Sequence, residues 1–226
     1  MAVALSRSQV RRVDELAVSR YGMTGLQLME NAGRNAAEII DIRYGSRGHA
    51  FIACGGGNNG GDGFVIARHL HNRGWGVVCV LASDQSKLSH DGAVNFGIVR
   101  KMGLDVRVIA AGSQVDSGLV GLSAEAVVVD ALLGTGFAGE VRSPLAKLIE
   151  SLNTLPHRAM VAIDVPSGLD CDTGASVRAT IRADLTITFV ATKLGFQLPA
   201  AKAFTGEIVV ADIGAPRELM EAVAKS

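Results

Sequence analysis

The chain has 226 residues, of which 48% are hydrophobic and 19% charged, so it can bury a sizeable core as a single domain over residues 1–226. Its 22 basic residues balance 22 acidic ones, which gives no reason to expect nucleic acid or an acidic membrane as a partner. No run of 18 apolar residues suggests a membrane span, and three cysteines do not make a disulfide framework, so we expect a cytoplasmic protein with free thiols.

The predicted elements begin with a helical section. Residues 26–40, LQLMENAGRNAAEII, place Leu28, Ala32, Ala36 and Ile39 near one stripe of a helix that should pack on the rest of the domain. Seven apolar, strand-like runs follow at 49–54, 76–82, 105–110, 126–133, 160–165, 185–190 and 207–213. Segments with helical spacing separate the first five, at 62–73, 90–102, 113–121 and 143–152. This alternation predicts an α/β fold, a parallel sheet with helices on both faces, and the last two strands extend one edge.

Three polar loops follow predicted strands and should therefore meet at one edge of the sheet. They are GGGNNGGDG (55–63), DALLGTGFAGEVRSP (130–144) and IDVPSGLDCDTG (163–174). In open parallel sheets ligands bind outside the carboxyl ends of the strands, where loops diverge and helix N-termini point inward. The sequence predicts a ligand site at this edge.

The first loop permits three interpretations. Gly55, Gly57 and Gly60 satisfy G-x-G-x-x-G, a pattern that indicates only a close backbone approach. The loop could be a tight turn in which Asp62 caps a helix, or an ordinary dinucleotide fingerprint. Against the fingerprint, Asp62 places a negative charge near the expected pyrophosphate. The amides of Asn58 and Asn59 beside this carboxylate suit hydroxyls, an amide or a cation alongside phosphate.

The other two loops supply carboxylates. Asp130 interrupts an apolar strand, where it must either bind backbone amides or help to coordinate a cation. Asp164 stands at a strand end, where a carboxylate can support acid–base chemistry or simply cap the turn. Asn59, Asp130 and Ser167 offer oxygen ligands with one charge, which suits a weakly held monovalent cation better than zinc.

Taken together, these loops resemble the NAD(P)H-hydrate epimerases, also called the YjeF N-terminal domain family. The resemblance covers nearly the whole chain, through LMENAG, CGGGNNGGDGFVIARHL, DALLGTG, GFAGEVRSP, VAIDVPSGLDCDTG, ADLTITF and GEIVVADIG. It implies a Rossmann-like three-layer αβα sandwich with a mostly parallel sheet and N-terminal helices. It also implies an isomerase that interconverts the R and S epimers of hydrated NADH or NADPH in nicotinamide nucleotide repair.

The resemblance assigns roles to particular residues. Potassium would be bound by Asn59, Asp130 and Ser167. Contacts to the hydrated dinucleotide would come from Asn58, Asn59, Gly60, Gly61, Asp62, Gly134, Thr135, Gly136, Phe137, Ala138, Gly139, Glu140 and Asp164. The family commonly has proline where Thr192 stands, before Lys193, which makes the course of that loop less certain. A homodimer, and a separate dehydratase that accepts the S epimer, would be the partners.

The chemistry of such a substrate points to Asp164. A hydroxyl on C6 beside the ring nitrogen forms a carbinolamine, so protonation releases water to a stabilised cation and water can return on either face. Ring opening and reclosure is the other route, and either needs an acid–base group near C6. Asp164 is the first candidate and Lys193 the second, although lysines after strands are usually phosphate contacts or solvated. A nicotinamide-dependent dehydrogenase and a non-enzymatic nucleotide-binding scaffold remain alternatives, and the sequence does not decide between NADH and NADPH hydrate.

Overall fold

The computed structural model describes residues 4–45, 47–109 and 115–225. Its strands are β1 (Ala4–Leu5), β2 (His49–Cys54), β3 (Gly76–Leu81), β4 (Asp105–Val108), β5 (Ala126–Ala131), β6 (Ala159–Ile163), β7 (Leu185–Phe189), β8 (Thr192–Lys193) and β9 (Glu207–Ala211). Its helices are α1 (Arg7–Tyr21), α2 (Gly25–Tyr44), α3 (Asn58–Asn72), α4 (His90–Lys101), α5 (Val115–Leu119), α6 (Leu145–Thr154), α7 (Lys202–Thr205) and α8 (Arg217–Ala224). Residue 110 of the third predicted strand and residues 113 and 114 of the predicted helix after it lie outside the described residues.

The central sheet is parallel throughout the described residues, with the strand order β4-β3-β2-β5-β6-β7-β9. All seven predicted strands are confirmed, as is the placement of the last two at one edge. Every residue of β5, β6 and β7 is buried, because helices cover both faces, and this explains their continuous apolar runs. The strand order reverses between β2 and β5, so their carboxyl ends frame a crevice of the kind that holds ligands.

Helices cover both faces of the sheet and complete the predicted three-layer sandwich. Apolar residues of α1, α2, α3, α4 and α8 join one face of the sheet in a continuous core. Apolar residues of α5 and α6 form a second core on the other face. No helix in these ranges has the length and hydropathy needed to cross a membrane. The three cysteines, Cys54, Cys79 and Cys171, are buried free thiols.

The N-terminal section contains two helices, and the sequence pattern indicated only the second. Each begins with a capping box, in which Ser6 and Thr24 accept from the backbone of Gln9 and Gln27 and the glutamine side chains accept in return. The first helix was missed because only Val10, Val13 and Ala17 of it are buried, a stripe too sparse to stand out. It is held at its start by β1, which pairs with β8 in parallel. This pairing defines the course of the loop around Thr192 that the sequence left uncertain.

The glycine-rich segment after β2 is mostly helix. α3 begins at Asn58, with Gly57 as its N-cap, so a predicted start at residue 62 is too late. The glycines permit close packing inside the helix: a Cβ on Gly60 would lie 1.9 Å from the Gly55 carbonyl oxygen, and one on Gly61 would lie 2.5 Å from Met29 Cε. Asp62 is therefore inside α3, and the interpretation in which it caps the helix is wrong.

Candidate active site

A large cavity opens between the N-terminal helices and the carboxyl edge of the sheet. Its volume is about 1170 Å³, above the roughly 300–1000 Å³ typical of small-molecule sites, which suits a ligand as large as a dinucleotide. α1 and α2 line one wall, and the segments that follow β2, β5, β6 and β7 line the other. The cavity lies at the edge where the sequence predicts that the polar loops meet.

Asp164 presents its carboxylate to this cavity from the end of β6. Its backbone adopts φ 65°, in the left-handed region that aspartate tolerates better than most residues. The Asp164 amide donates to the Ile187 carbonyl at 2.7 Å, which fixes the bend. Oδ2 accepts a hydrogen bond from the Thr135 amide at 3.1 Å, and Oδ1 lies 2.8 Å from Lys193 Nζ. The carboxylate is thus held in one orientation from two sides.

Lys193 is completely buried, so the alternative of a solvated lysine is wrong. Its ammonium group donates to Thr188 Oγ1 at 2.7 Å and to the carbonyls of Phe189 and Ala191 at 2.9 and 3.3 Å. Between those two carbonyls stands Val190, whose φ of 70° is unusual for a β-branched residue. This backbone turn brings both carbonyls to the ammonium group. A buried charge needs such a set of partners, and Asp164 supplies the opposite charge.

Asp62 faces the same cavity with a different environment. The residue is 9% exposed, and its carboxyl group accepts no hydrogen bond within the ranges that the structure describes. Burial raises the pKa of Asp62 well above its usual value, and the nearby charges of Asp164 and Asp14 act in the same direction. The raised pKa favours the protonated form of Asp62, which can donate a hydrogen bond as well as accept one.

A cluster of oxygen atoms surrounds the Leu133 peptide beside the cavity. Ser167 Oγ donates to Asp130 Oδ1 at 2.6 Å and accepts from the Leu133 amide at 2.9 Å. Asn59 Nδ2 donates to the Leu133 carbonyl at 2.9 Å, which leaves Asn59 Oδ1 buried without a hydrogen-bond partner. Burial raises the pKa of Asp130 to about 6, although hydrogen bonds from Ser167 and the Leu132 amide act against this rise. Asp130 does bind backbone amides, and it also belongs to the oxygen set that the sequence singled out.

The structure brings most of the predicted dinucleotide contacts to one wall. Gly134 fits tightly there: a Cβ on it would lie 3.1 Å from Asp164 Oδ2 and 3.3 Å from Asn59 Cβ. Cavity-lining positions among the predicted contacts are Asn58, Asn59, Asp62, Gly134, Thr135, Gly136, Phe137, Ala138 and Asp164. Gly60, Gly61, Gly139, Glu140 and Lys193 are not among the lining residues. Gly60 packs against the backbone of Gly55 and Gly61 against Met29 of α2, and Lys193 acts on the cavity through Asp164.

The opposite wall contains residues that the sequence analysis missed. α1 contributes Asp14, whose pKa is raised to about 6 by burial and by the charge of Asp164, against the opposing effect of Lys193. Arg7, at the start of the same helix, donates to Asp170 at 2.8 Å and ties α1 to the loop after β6. No motif marks these positions. They could have been found only by predicting α1 and its orientation.

Comparison with known proteins agrees with this architecture. A family model described as YjeF-related protein N-terminus matches residues 25–195. The chain is 41% identical over 217 residues to the NAD(P)H-hydrate epimerase of Pirellula staleyi, covering 96% of this chain and 95% of that protein. It is 42% identical over 212 residues to the NAD(P)H-hydrate epimerase of Rhodopirellula baltica, covering 94% of this chain and 84% of that protein.

Two further matches differ in kind. The bifunctional NAD(P)H-hydrate repair enzyme Nnr of Thermanaerovibrio acidaminovorans is 43% identical over 223 residues, which cover 96% of this chain but 42% of that enzyme. The crystal structure of yeast ynu0 has a TM-score of 0.79 at 24% identity, covering 97% of this chain and 93% of that one, and so supports the fold. From the family match and the two full-length relatives, the chain belongs to the YjeF-related N-terminal family.

Proposed function

We propose that this protein is an NAD(P)H-hydrate epimerase, an isomerase that interconverts the R and S epimers of hydrated NADH or NADPH. The relatives named for this activity match the chain over almost its whole length. The observation that carries the proposal is the Asp164 carboxylate, fixed by Lys193 and the Thr135 amide at the wall of a dinucleotide-sized cavity. Epimerisation at C6 needs an acid–base group held in this way beside the ring.

Asp164 moves the proton in the proposed reaction. Its carboxyl group protonates the C6 hydroxyl of the carbinolamine or, in the ring-opening route, takes the hydroxyl proton so that the C6–N1 bond can break. Lys193 holds Asp164 in place and balances its charge, and the loop Gly134–Ala138 with the start of α3 binds the rest of the dinucleotide. The first-turn amides of α3 provide donors for phosphate, and Asp62 hydrogen-bonds to hydroxyl or amide groups of the ligand.

We propose potassium as the accompanying ion, held by Asn59, Asp130 and Ser167. The buried and unpaired Asn59 Oδ1 fits this ion, because a cation would supply the missing partner, and the cluster combines one carboxylate with neutral oxygens. When bound, the ion supplies positive charge that helps to balance the carboxyl groups and phosphates around the cavity.

Thermal unfolding tests the ion site without any measurement of activity. Potassium chloride should raise the Tm of the wild type relative to tetramethylammonium chloride at equal ionic strength, because an ion that binds the folded state stabilises it. Asn59→Ala should lose this difference, and Asn58→Ala, which removes a neighbouring exposed amide, should keep it. Equal Tm values for the wild type in both salts would refute the site.

The function is tested with purified R hydrate and separation of the epimers by chiral chromatography. The wild type should bring the R and S forms to equilibrium much faster than the spontaneous reaction. Asp164→Asn should lower kcat/KM by about 100-fold or more, within the usual range for removal of a general acid or base. Hydride transfer from intact NADH would indicate a dehydrogenase instead, and tight binding of the hydrate without turnover would indicate a scaffold.

Three further features belong to the proposal. We propose a homodimer, which light scattering of the purified protein would test, and a cytoplasmic location. A dehydratase that consumes the S epimer would act in the same pathway, since an epimerase alone returns no intact coenzyme. The name of the bifunctional relatives, in which this chain matches less than half the length, is consistent with such a second activity.

A further inference from the structure

Asp14 lies on the helix that forms the wall opposite Asp164. Val13 and Ala17 of α1 are buried in the core, whereas Asp14 and Val18, four residues apart, line the cavity together with the buried Val10. The family match begins at residue 25, after this helix has ended. The helix that carries Asp14 is thus a part of the site to which neither motif nor family match points.

The Asp14 carboxyl group has no partner of its own within the described ranges. On the same helix, Arg7 pairs with Asp170 and Arg12 with Glu15. Arg11 also lines the cavity. Asp164 and Asp62 face Asp14 across the cavity, and the charge of the buried Lys193, which pairs with Asp164, also acts on Asp14. The side chains of Asp14 and Asp164 therefore line the same cavity from opposite walls.

Inversion at C6 through loss and return of water needs chemistry on both faces of the ring. The leaving hydroxyl must be protonated on one face, and the incoming water must lose a proton on the other. One carboxyl group in one wall reaches only one face of a flat ring. A second group in the opposite wall completes the requirement.

We propose that Asp14 is a second acid–base residue of the epimerase, serving the face of the nicotinamide ring opposite to that served by Asp164. This inference rests on the proposed function. A pKa of about 6, caused by burial and by the charge of Asp164, allows Asp14 to hold a proton in part of the molecules near neutral pH and to release it in others. Although the surrounding protein atoms desolvate Asp14 enough to raise its pKa, the side chain keeps access to solvent, which lets its proton exchange between turnovers.

In one direction of the reaction, protonated Asp14 gives its proton to the C6 hydroxyl, the C6–O bond breaks, and water leaves while the N1 lone pair forms the C6=N1 double bond. A second water adds to C6 from the other face, the electrons of the double bond return to N1, and ionised Asp164 takes the proton. One water and one proton enter and leave, and no electrons are exchanged with another molecule. The reverse direction exchanges the roles of the two carboxyl groups.

Oxygen-18 water distinguishes this mechanism from its alternatives. Wild type should incorporate one solvent oxygen into each inverted molecule. The rate of inversion by Asp14→Asn should fall by about 100-fold or more. This variant should still exchange the C6 oxygen with solvent, with retention of configuration, in the epimer whose hydroxyl faces Asp164. Asp14→Glu should restore part of the inversion. Glu38→Gln, the same chemical change at an exposed carboxylate of α2 that does not line the cavity, should stay within about twofold of wild type.

Several results would overturn the proposal. A rate of inversion by Asp14→Asn within threefold of the wild-type rate would do so. Equal loss of inversion and of oxygen exchange with retention in Asp14→Asn, without rescue by Asp14→Glu, would also do so, because this pattern indicates a structural role. Inversion by wild type without incorporation of solvent oxygen would show ring opening, and so remove the need for Asp14 while leaving the epimerase intact. Failure of wild type to invert the hydrate would instead refute the proposed function.

Discussion

At the scale of single residues, the Asp164–Lys193 pair joins stability and chemistry. Lys193 is completely buried and Asp164 nearly so, and they lie 2.8 Å apart. Lys193→Met should lower the free energy of unfolding by about 3–5 kcal/mol, because it leaves a carboxylate in the cavity wall without its counter-charge. Urea unfolding measures this loss. In Asp164→Asn/Lys193→Met, where neither charge remains, much of the stability should return without activity. A loss below about 1 kcal/mol in Lys193→Met would contradict the role of the pair.

Asp62 should make the stability of the free protein depend on pH. Because its pKa in the folded protein is raised, the folded state keeps a proton that the unfolded chain releases above about pH 4. The stability associated with this proton is complete below pH 4 and declines as the pH rises. Asp62→Asn removes the decline, so it should raise the Tm at pH 8 by about 2–4 °C or more, as expected for a gain of about 1 kcal/mol in a chain of this size. The two Tm values should agree near pH 4, and a lower Tm for the variant at pH 8 would show that Asp62 is ionised and paired.

At the scale of elements, the contact between α2 and α3 depends on a glycine. A Cβ on Gly33 would lie 2.5 Å from Val65 Cβ and 3.0 Å from the Asp62 carbonyl oxygen, neither of which can move without its helix. Gly33→Ala should therefore destabilise the protein by about 1–3 kcal/mol, the usual cost of overpacking. Gly97→Ala in α4 has open space and should stabilise by about 0.5–1 kcal/mol through helix propensity. Denaturant midpoints of both variants test this, and equal effects of the two would contradict it.

The elements differ in how far the sequence could predict them. The strands of the sheet were recognisable because burial on both faces requires continuous apolar runs, as in β5 and β6. The start of α3 was misplaced because glycine and asparagine favour turns locally, whereas here Gly60 and Gly61 permit packing that outweighs their poor helix propensity. α1 shows no such pattern, since most of its surface faces water or the cavity. For that reason the loops at the sheet edge could be predicted from the sequence as part of the site, whereas α1 could not.

At the scale of the whole molecule, the cavity depends on contacts between the two ends of the chain. α1 is tied to the sheet side by the β1–β8 pairing and by the bonds of Arg7 to Asp170. On its other side, Leu219 and Val223 of α8 share a core with Val10 and Val13, and Gln9 Nε2 donates to the Val223 carbonyl at 3.3 Å. The position of the α1 wall is therefore set by residues from both ends, far from the loops that carry the motifs.

Removal of residues 216–226 should loosen this wall and leave the sheet in place. The truncation removes two buried aliphatic side chains, each worth about 1.5–3 kcal/mol, and uncovers the α1 residues beneath them. We expect a loss of about 3–6 kcal/mol in urea unfolding, faster amide hydrogen exchange over residues 7–21, and a fall in kcat/KM of more than tenfold, while amides of β5 and β6 stay protected. Arg217→Ala removes only an exposed ion pair with Glu221 and should cost less than about 0.5 kcal/mol. If the truncated protein protects α1 as well as wild type does, α8 does not position the wall, and the contacts of β1 and Arg7 are sufficient to hold it.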